Sequence, residues 1–148
     1  MGLTAELGPG PVALDTAAFV YFIEEHPRYL PVVQPVFEAI DAGRIQAATS
    51  SLTLLEVLVV PYREGDAELA GSYERILTRS RHLDLVGLSP GLLRTAAQLR
   101  AATGMKTPDA IQVAATLSVG CTALLTNDDR WPAEVAGLAI VRIDDYTA

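Results

Sequence analysis

Apolar residues run along this chain in two patterns that take turns. Short continuous runs at residues 12–14, 45–49, 83–87, 121–126 and 138–143 predict buried strands. Longer stretches between them carry apolar residues at helical spacing. Residues 17–25 and 29–42 predict helices, the second through Val33, Val36, Phe37 and Ile40. Residues 52–60 predict a third, stopped by Pro61. Residues 66–80 follow, with Leu69, Tyr73, Ile76 and Leu77 on one face. Ser89 caps a helix that opens on Pro90 and precedes Gly104, and a last helix ends at Gly120. Residues 1–11 read as a loose tail, because Gly8, Pro9, Gly10 and Pro11 break any element. Strands separated by helices imply a parallel sheet covered on both faces, hence one α/β domain over residues 12–148.

The last helix carries the most chemistry. In Lys106–Thr116, KTPDAIQVAAT, Thr107 is a good N-cap and Pro108 suits the first helical position. Asp109 then falls in the first turn, where the helix dipole favours negative charge. The body that follows is apolar on nearly every side. A carboxylate at the buried end of such a helix needs a capped N–H, a salt bridge or a cation.

Composition narrows the classes. A chain of 148 residues, half of them hydrophobic, can bury a real core. No apolar run approaches the roughly 20 residues of a membrane span, and the N-terminus lacks the basic and apolar regions of a secretory signal. One cysteine, Cys121, excludes an internal disulfide framework and reads as core. These points predict a cytoplasmic protein. The net charge of −7 argues against nucleic-acid binding by bulk charge, so any such role needs local cations.

The acids have a pattern. Sites in open α/β sheets form outside the carboxyl ends of the strands. Asp15 ends the first strand there, and Asp128 follows the strand at 121–126. Asp109 opens a helix at that same edge, and Glu56 lies about one turn into the helix after the second strand. Two such charges about 4 Å apart repel by about 4 kcal/mol at an effective dielectric near 20. Protonation or a bound cation must relieve this. Oxygen ligands without His or Cys select Mg²⁺ or Mn²⁺ over Zn²⁺. Judged singly, each acid has a plainer reading: Asp15 as an N-cap, Glu56 as an exposed helix residue, Asp109 as a dipole partner.

Four segments in this order, ALDTAAFVYFIE, SSLTLLEVL, KTPDAIQVAAT and LLTNDDRW, resemble the acidic motifs of PIN-domain ribonucleases, most of all the small VapC-type toxins of bacterial toxin–antitoxin systems. The likeness runs from Val12 to Ile143. It implies a PIN-like three-layer α/β/α sandwich with a parallel five-stranded sheet. It places the family's catalytic and metal-binding acids on Asp15, Glu56, Asp109 and Asp128. It implies RNA cleavage with one or two Mg²⁺ or Mn²⁺ ions, leaving a 5′-phosphate and a 3′-hydroxyl. It also implies a homodimer and a silencing antitoxin. The Gly-Pro-rich start and the acidic net charge depart from the family's usual form.

Supporting positions stay open between two readings. Thr16 supports the turn or hydrogen-bonds Asp15. Thr126 and Asn127 touch the site or shape the turn. Asp129 is a loop residue or an auxiliary ligand. Lys106 is a loop lysine or a phosphate contact, and Arg130 contacts substrate or pairs with Asp129. Arg75, Arg79 and Arg81 form a solvated helix face or a phosphate track, while Trp131 reads as packing. His26 and His82 lack a catalytic partner at suitable spacing. Alternative functions are a nuclease of RNA processing outside a toxin–antitoxin pair, a non-catalytic PIN-like binding module, and a phosphoacceptor receiver domain. The last wants an acidic pair after the first strand, where this chain has Asp15 and Thr16.

Overall fold

The computed structural model describes residues 2–147. Five strands predicted from apolar runs form a parallel sheet: β1 (Val12–Leu14), β2 (Ala47–Ser50), β3 (Leu83–Val86), β4 (Ala123–Thr126) and β6 (Leu138–Arg142). A sixth, β5 (Glu134–Val135), pairs antiparallel with β6. The expected five-stranded parallel sheet is therefore six-stranded, with one antiparallel edge. Ala136 and Gly137, both at positive φ, make the two-residue hairpin turn that joins β5 to β6. Two residues are too few to leave a periodic signal in the sequence.

The strand order is β3-β2-β1-β4-β6-β5. The chain thus winds one way from β1 through β2 to β3, then returns to the other side of β1 for β4. The reversal between β1 and β4 is a topological switch point, which opens a crevice at the carboxyl ends of these two strands. Helices cover both faces: α2 (Thr16–Ile23), α3 (Leu30–Asp41), α4 (Leu52–Glu64), α5 (Ala67–Arg79), α6 (Pro90–Thr103) and α7 (Thr107–Ser118). Successive residues of a strand point to opposite faces. Val12 and Leu14 therefore enter the larger core with Leu125, Phe19, Val36, Tyr73 and Leu77. Ala13 and Leu124 face the other way, toward Cys121 and Leu138. On that side α6 and α7 pack through Leu92, Ala96, Ala110 and Ala114. In α2, Phe22 stacks on Phe37 of α3 with ring centres 4.2 Å apart, and Phe19 is fully buried. No helix among the described residues is long and apolar enough to cross a membrane.

Three local expectations need correction. Residues expected to be a loose tail include a short helix, α1 (Leu3–Leu7), which buries Leu3 and Leu7 in the larger core. Leu3 and Leu7 are four residues apart, so one turn of helix puts both on the same side. The segment behind it is tied down as well. The Gln46 N–H donates to the Pro9 carbonyl and the Val12 N–H to the Gln46 carbonyl, each at 2.9 Å. Second, α4 does not stop at Pro61. The proline forfeits one helical hydrogen bond, but its ring is buried, and the helix ends three residues later before Gly65 in the left-handed conformation. Third, Lys106, not Thr107, occupies the cap of α7, and Thr107 is the first helical residue.

The anchoring of residues 9–12 has a measurable consequence. Gly10 sits at φ +85°, and a Cβ there would lie 2.4 Å from the Gln46 carbonyl oxygen. Gly10→Ala is expected to lower the unfolding free energy by about 1–3 kcal/mol, read as a shifted denaturant midpoint at constant slope. A loose tail would show no shift.

Candidate active site

The β1/β4 crevice is built around Asp15. It follows β1 directly and caps α2, where its Oδ1 accepts the Thr16 N–H at 2.8 Å. Its other oxygen, Oδ2, accepts the Thr126 hydroxyl at 2.9 Å. Thr126 is the last residue of β4, fully buried, and its oxygen also accepts the Asp128 N–H at 3.2 Å. Both oxygens of Asp15 are therefore oriented by neighbours on two elements. Burial raises its pKa, the Asp128 charge raises it further, and the Thr126 and Thr16 hydrogen bonds only partly offset this.

Two more carboxylates close on the same point. The Thr16 hydroxyl donates to Glu56 Oε1 at 3.1 Å, so Thr16 serves both Asp15 and Glu56. Glu56 as a residue is exposed, contrary to an inward reading from its apolar neighbours, but its carboxylate reaches the mouth of the crevice. Asp109, in the first turn of α7, is half-buried. Asp15, Glu56 and Asp109 line one small cavity of about 30 Å³. The pKa of Glu56 is raised by partial burial and by the charges of Asp15 and Asp109. That of Asp109 is raised by burial first and then by Asp15, with Asp128 adding to this, and the pulls of Arg130 and Lys106 only partly offset the rise.

Asp128 has a different environment. Arg130 donates to it from Nε to Oδ1 at 3.0 Å and from the backbone at 2.9 Å, and its second guanidinium nitrogen reaches Oδ2. This fork holds the Asp128 carboxyl down at about 2. Arg130 therefore pairs with Asp128, not with Asp129, which stays exposed in the loop. Asn127 turns away from the cavity. It donates to the Tyr21 hydroxyl at 3.1 Å and accepts the Asp144 N–H at 2.9 Å, which fixes the turn after β6. Lys106 is exposed beside Asp109. Arg75, Arg79 and Arg81 line a separate groove that shares no residue with the acidic cluster. The Cys121 thiol is buried and pushed up to about 11, as fits a core residue.

The residues that hold this arrangement in place leave little mark in the sequence. Gln112 lies one turn after Asp109 on α7 and is buried. Its Nε2 donates to the Leu14 carbonyl at 2.8 Å, and its Oε1 accepts the Ser50 N–H at 3.0 Å. Thr49 donates to that same Leu14 carbonyl and pairs with Thr53. The one available signal was a glutamine inside an otherwise apolar helix.

Among the described residues, no three acidic, His or Cys side chains already stand as a ready ligand shell. The donor set nevertheless fits a hard cation. Three carboxylates border a cavity with room for one water-sized occupant. All are oxygen donors with no His or Cys among them, and each carries an electrostatic penalty that a cation would relieve.

That penalty has a sign. A carboxyl whose pKa is raised by folding binds more protons folded than unfolded, so stability falls as pH rises from its ordinary value of 3.8 through the raised value. Asp15→Asn is expected to raise the thermal midpoint of the metal-free protein at pH 7. The advantage should close as pH falls back toward 3.8. Calorimetry at several pH values checks this, and an unchanged or lowered midpoint at pH 7 contradicts it.

Comparison with known proteins agrees with the geometry. The PIN domain family model matches residues 12–138, from β1 to the start of β6. No curated protein matches the chain significantly. Among solved structures, a toxin–antitoxin complex from Klebsiella pneumoniae superposes with TM-score 0.66 at 20% identity, covering 89% of this chain and 97% of that one. VapBC2 from Rickettsia felis, bound to a fragment of its promoter DNA, gives TM-score 0.69 at 18% identity, covering 88% and 97%. VapC20 of Mycobacterium tuberculosis, a sarcin–ricin loop cleaving toxin, gives 0.67 at 14%, covering 86% and 98%. At such identities the structures speak for the fold, and the family model, matched over most of the length, decides membership: the chain belongs to the PIN-domain family.

Proposed function

We propose that this PIN-domain nuclease is a divalent-metal-dependent endoribonuclease and the toxin half of a type II toxin–antitoxin pair. The observation that carries the catalytic reading is the cavity of about 30 Å³ bordered by Asp15, Glu56 and Asp109, three acids from three separate segments. The toxin reading is supported by likeness to the Klebsiella complex, to VapBC2 and to the loop-cleaving VapC20. A protein antitoxin, a homodimeric state and a cytoplasmic setting belong to the same reading.

In this proposal Asp15, Glu56 and Asp109 hold one or two Mg²⁺ or Mn²⁺ ions, with Asp128 as a fourth acid once Arg130 lets it go. Such an ion, when bound, polarises a phosphoryl oxygen and makes a neighbouring water more acidic. The chain's own groups do the rest. Thr126 and the Thr16 N–H hold the Asp15 carboxylate in one orientation. Gln112 keeps α7, and so Asp109, against the strand ends. Thr16 engages one oxygen of Glu56 and leaves the other toward the cavity, where it either ligates the ion or accepts a proton from the attacking water. Lys106 and Arg130 supply the positive charge that an RNA phosphate requires next to an acidic cluster.

Asp15→Asn and Asp109→Asn should each cut Mg²⁺-dependent RNA cleavage by more than the ~10–100-fold that losing an outer partner costs a metal site. Far-UV circular dichroism should be unchanged, and wild-type-like cleavage by either variant would sink the catalytic assignment. Mg²⁺ or Mn²⁺ should also raise the thermal midpoint of the wild type in a concentration-dependent way. Asp15→Asn should respond less. A wild type indifferent to both ions would favour a binding module over a nuclease.

A further inference from the structure

We infer that the groove beside the acidic cavity is a base-binding subsite, in which Trp131 stacks on an unpaired base of single-stranded RNA next to the scissile phosphate. The inference rests on the endoribonuclease reading. The groove has a volume of about 510 Å³ and shares Asp109 with the small cavity, so its occupant lies against the acidic cluster. Its walls are Met105 and Lys106 before α7, Arg130 and Trp131 after β4, and Val135 in β5. That volume falls within the ~300–1,000 Å³ range of small-ligand sites.

The chemistry of these walls is that of a nucleotide. Trp131 is half-buried and packs against the core behind it, which holds the indole while part of it faces the groove. Lys106 and Arg130 line the same groove, together with the acids Asp109 and Glu134. Among the described residues Lys106 forms no ion pair, and Arg130 is tied only to Asp128, with most of its side chain in solvent. An aromatic ring and two cations in one groove match a base with its phosphates. Proteins that bind single strands combine aromatic platforms with positive charge in this way. RNA is read chiefly where its bases are unpaired and can be splayed out. The groove carries Asp109 and Glu134 as well as Lys106 and Arg130, so its cations offset the acids beside them and its charge does not repel an RNA strand as the net charge of −7 would.

Trp131 is the only tryptophan in the chain, so its fluorescence reports on this groove alone. Short single-stranded oligoribonucleotides titrated into the Asp15→Asn protein with Mg²⁺ should quench it saturably. An abasic oligomer of the same length should bind without quenching. Trp131→Ala should weaken binding about 5- to 150-fold, with Trp131→Phe in between. In the otherwise wild-type protein the loss should fall on KM for RNA and leave kcat largely intact. Equal affinity in Trp131→Ala, or RNA that is bound and cleaved with no change in fluorescence, overturns the subsite while leaving the nuclease reading in place. Failure of the wild-type protein to bind or cleave any RNA overturns both.

Discussion

The hydrogen bonds of Gln112 are the constraint on which the rest of the site depends. One buried side chain on α7 reaches the end of β1 through the Leu14 carbonyl and the end of β2 through the Ser50 N–H. These are the backbone groups next to Asp15 and next to the start of α4. Gln112 thus locks the helix bearing Asp109 to the strands that deliver Asp15 and Glu56. A buried amide of this kind is worth its desolvation only when its bonds are made. Thr49 and Thr53 complete the set, so the polar groups under the cavity are mutually satisfied. The apolar body of α7 supplies cohesion, and the amide supplies register.

Above that lock the site is electrostatically loaded. Asp15, Glu56 and Asp109 have their pKa values raised, each by burial first and then by neighbouring carboxylates: Asp128 for Asp15, Asp15 and Asp109 for Glu56, and Asp15 and Asp128 for Asp109. Asp128 is the exception, because Arg130 answers its charge directly. The cluster therefore holds three unneutralised acids and one neutralised acid. A cation arriving among the three meets little competition, whereas one reaching Asp128 must displace a guanidinium. The same displacement would release Arg130 toward the groove and toward an incoming phosphate. Under the proposed function, metal binding at Asp128 and phosphate binding at Arg130 would then be linked through this single ion pair.

Much of the fold was legible in the chain. The apolar runs marked five strands and the helical spacings marked the helices between them, because burial on both faces of a parallel sheet leaves a strong signature. Asp15, Asp109 and Glu56 were legible as candidates since each stands next to the carboxyl end of a strand or at the start of a helix. Side chains that act across segments were not. Gln112 looked like one polar interruption in an apolar helix, and Arg130 looked as ready to pair with Asp129 as with Asp128. The α1 helix and the β5 edge were too short to show a period. A local rule makes Pro61 a stop, and tertiary burial of its ring overrides that rule.

By itself, then, the sequence determined the alternation of strands and helices, the apolar core and the four acids at strand and helix ends. Those features depend on near neighbours along the chain and on burial, both of which are written in residue order. Only the tertiary structure decided which hydroxyl holds which carboxylate, which acid is neutralised, and that Lys106, Arg130 and Trp131 border one groove beside Asp109. The reason is physical. Hydrogen bonds and ion pairs act over a few ångströms in space, and Asp15 meets Thr126 across 111 positions of chain, a separation that no local pattern records.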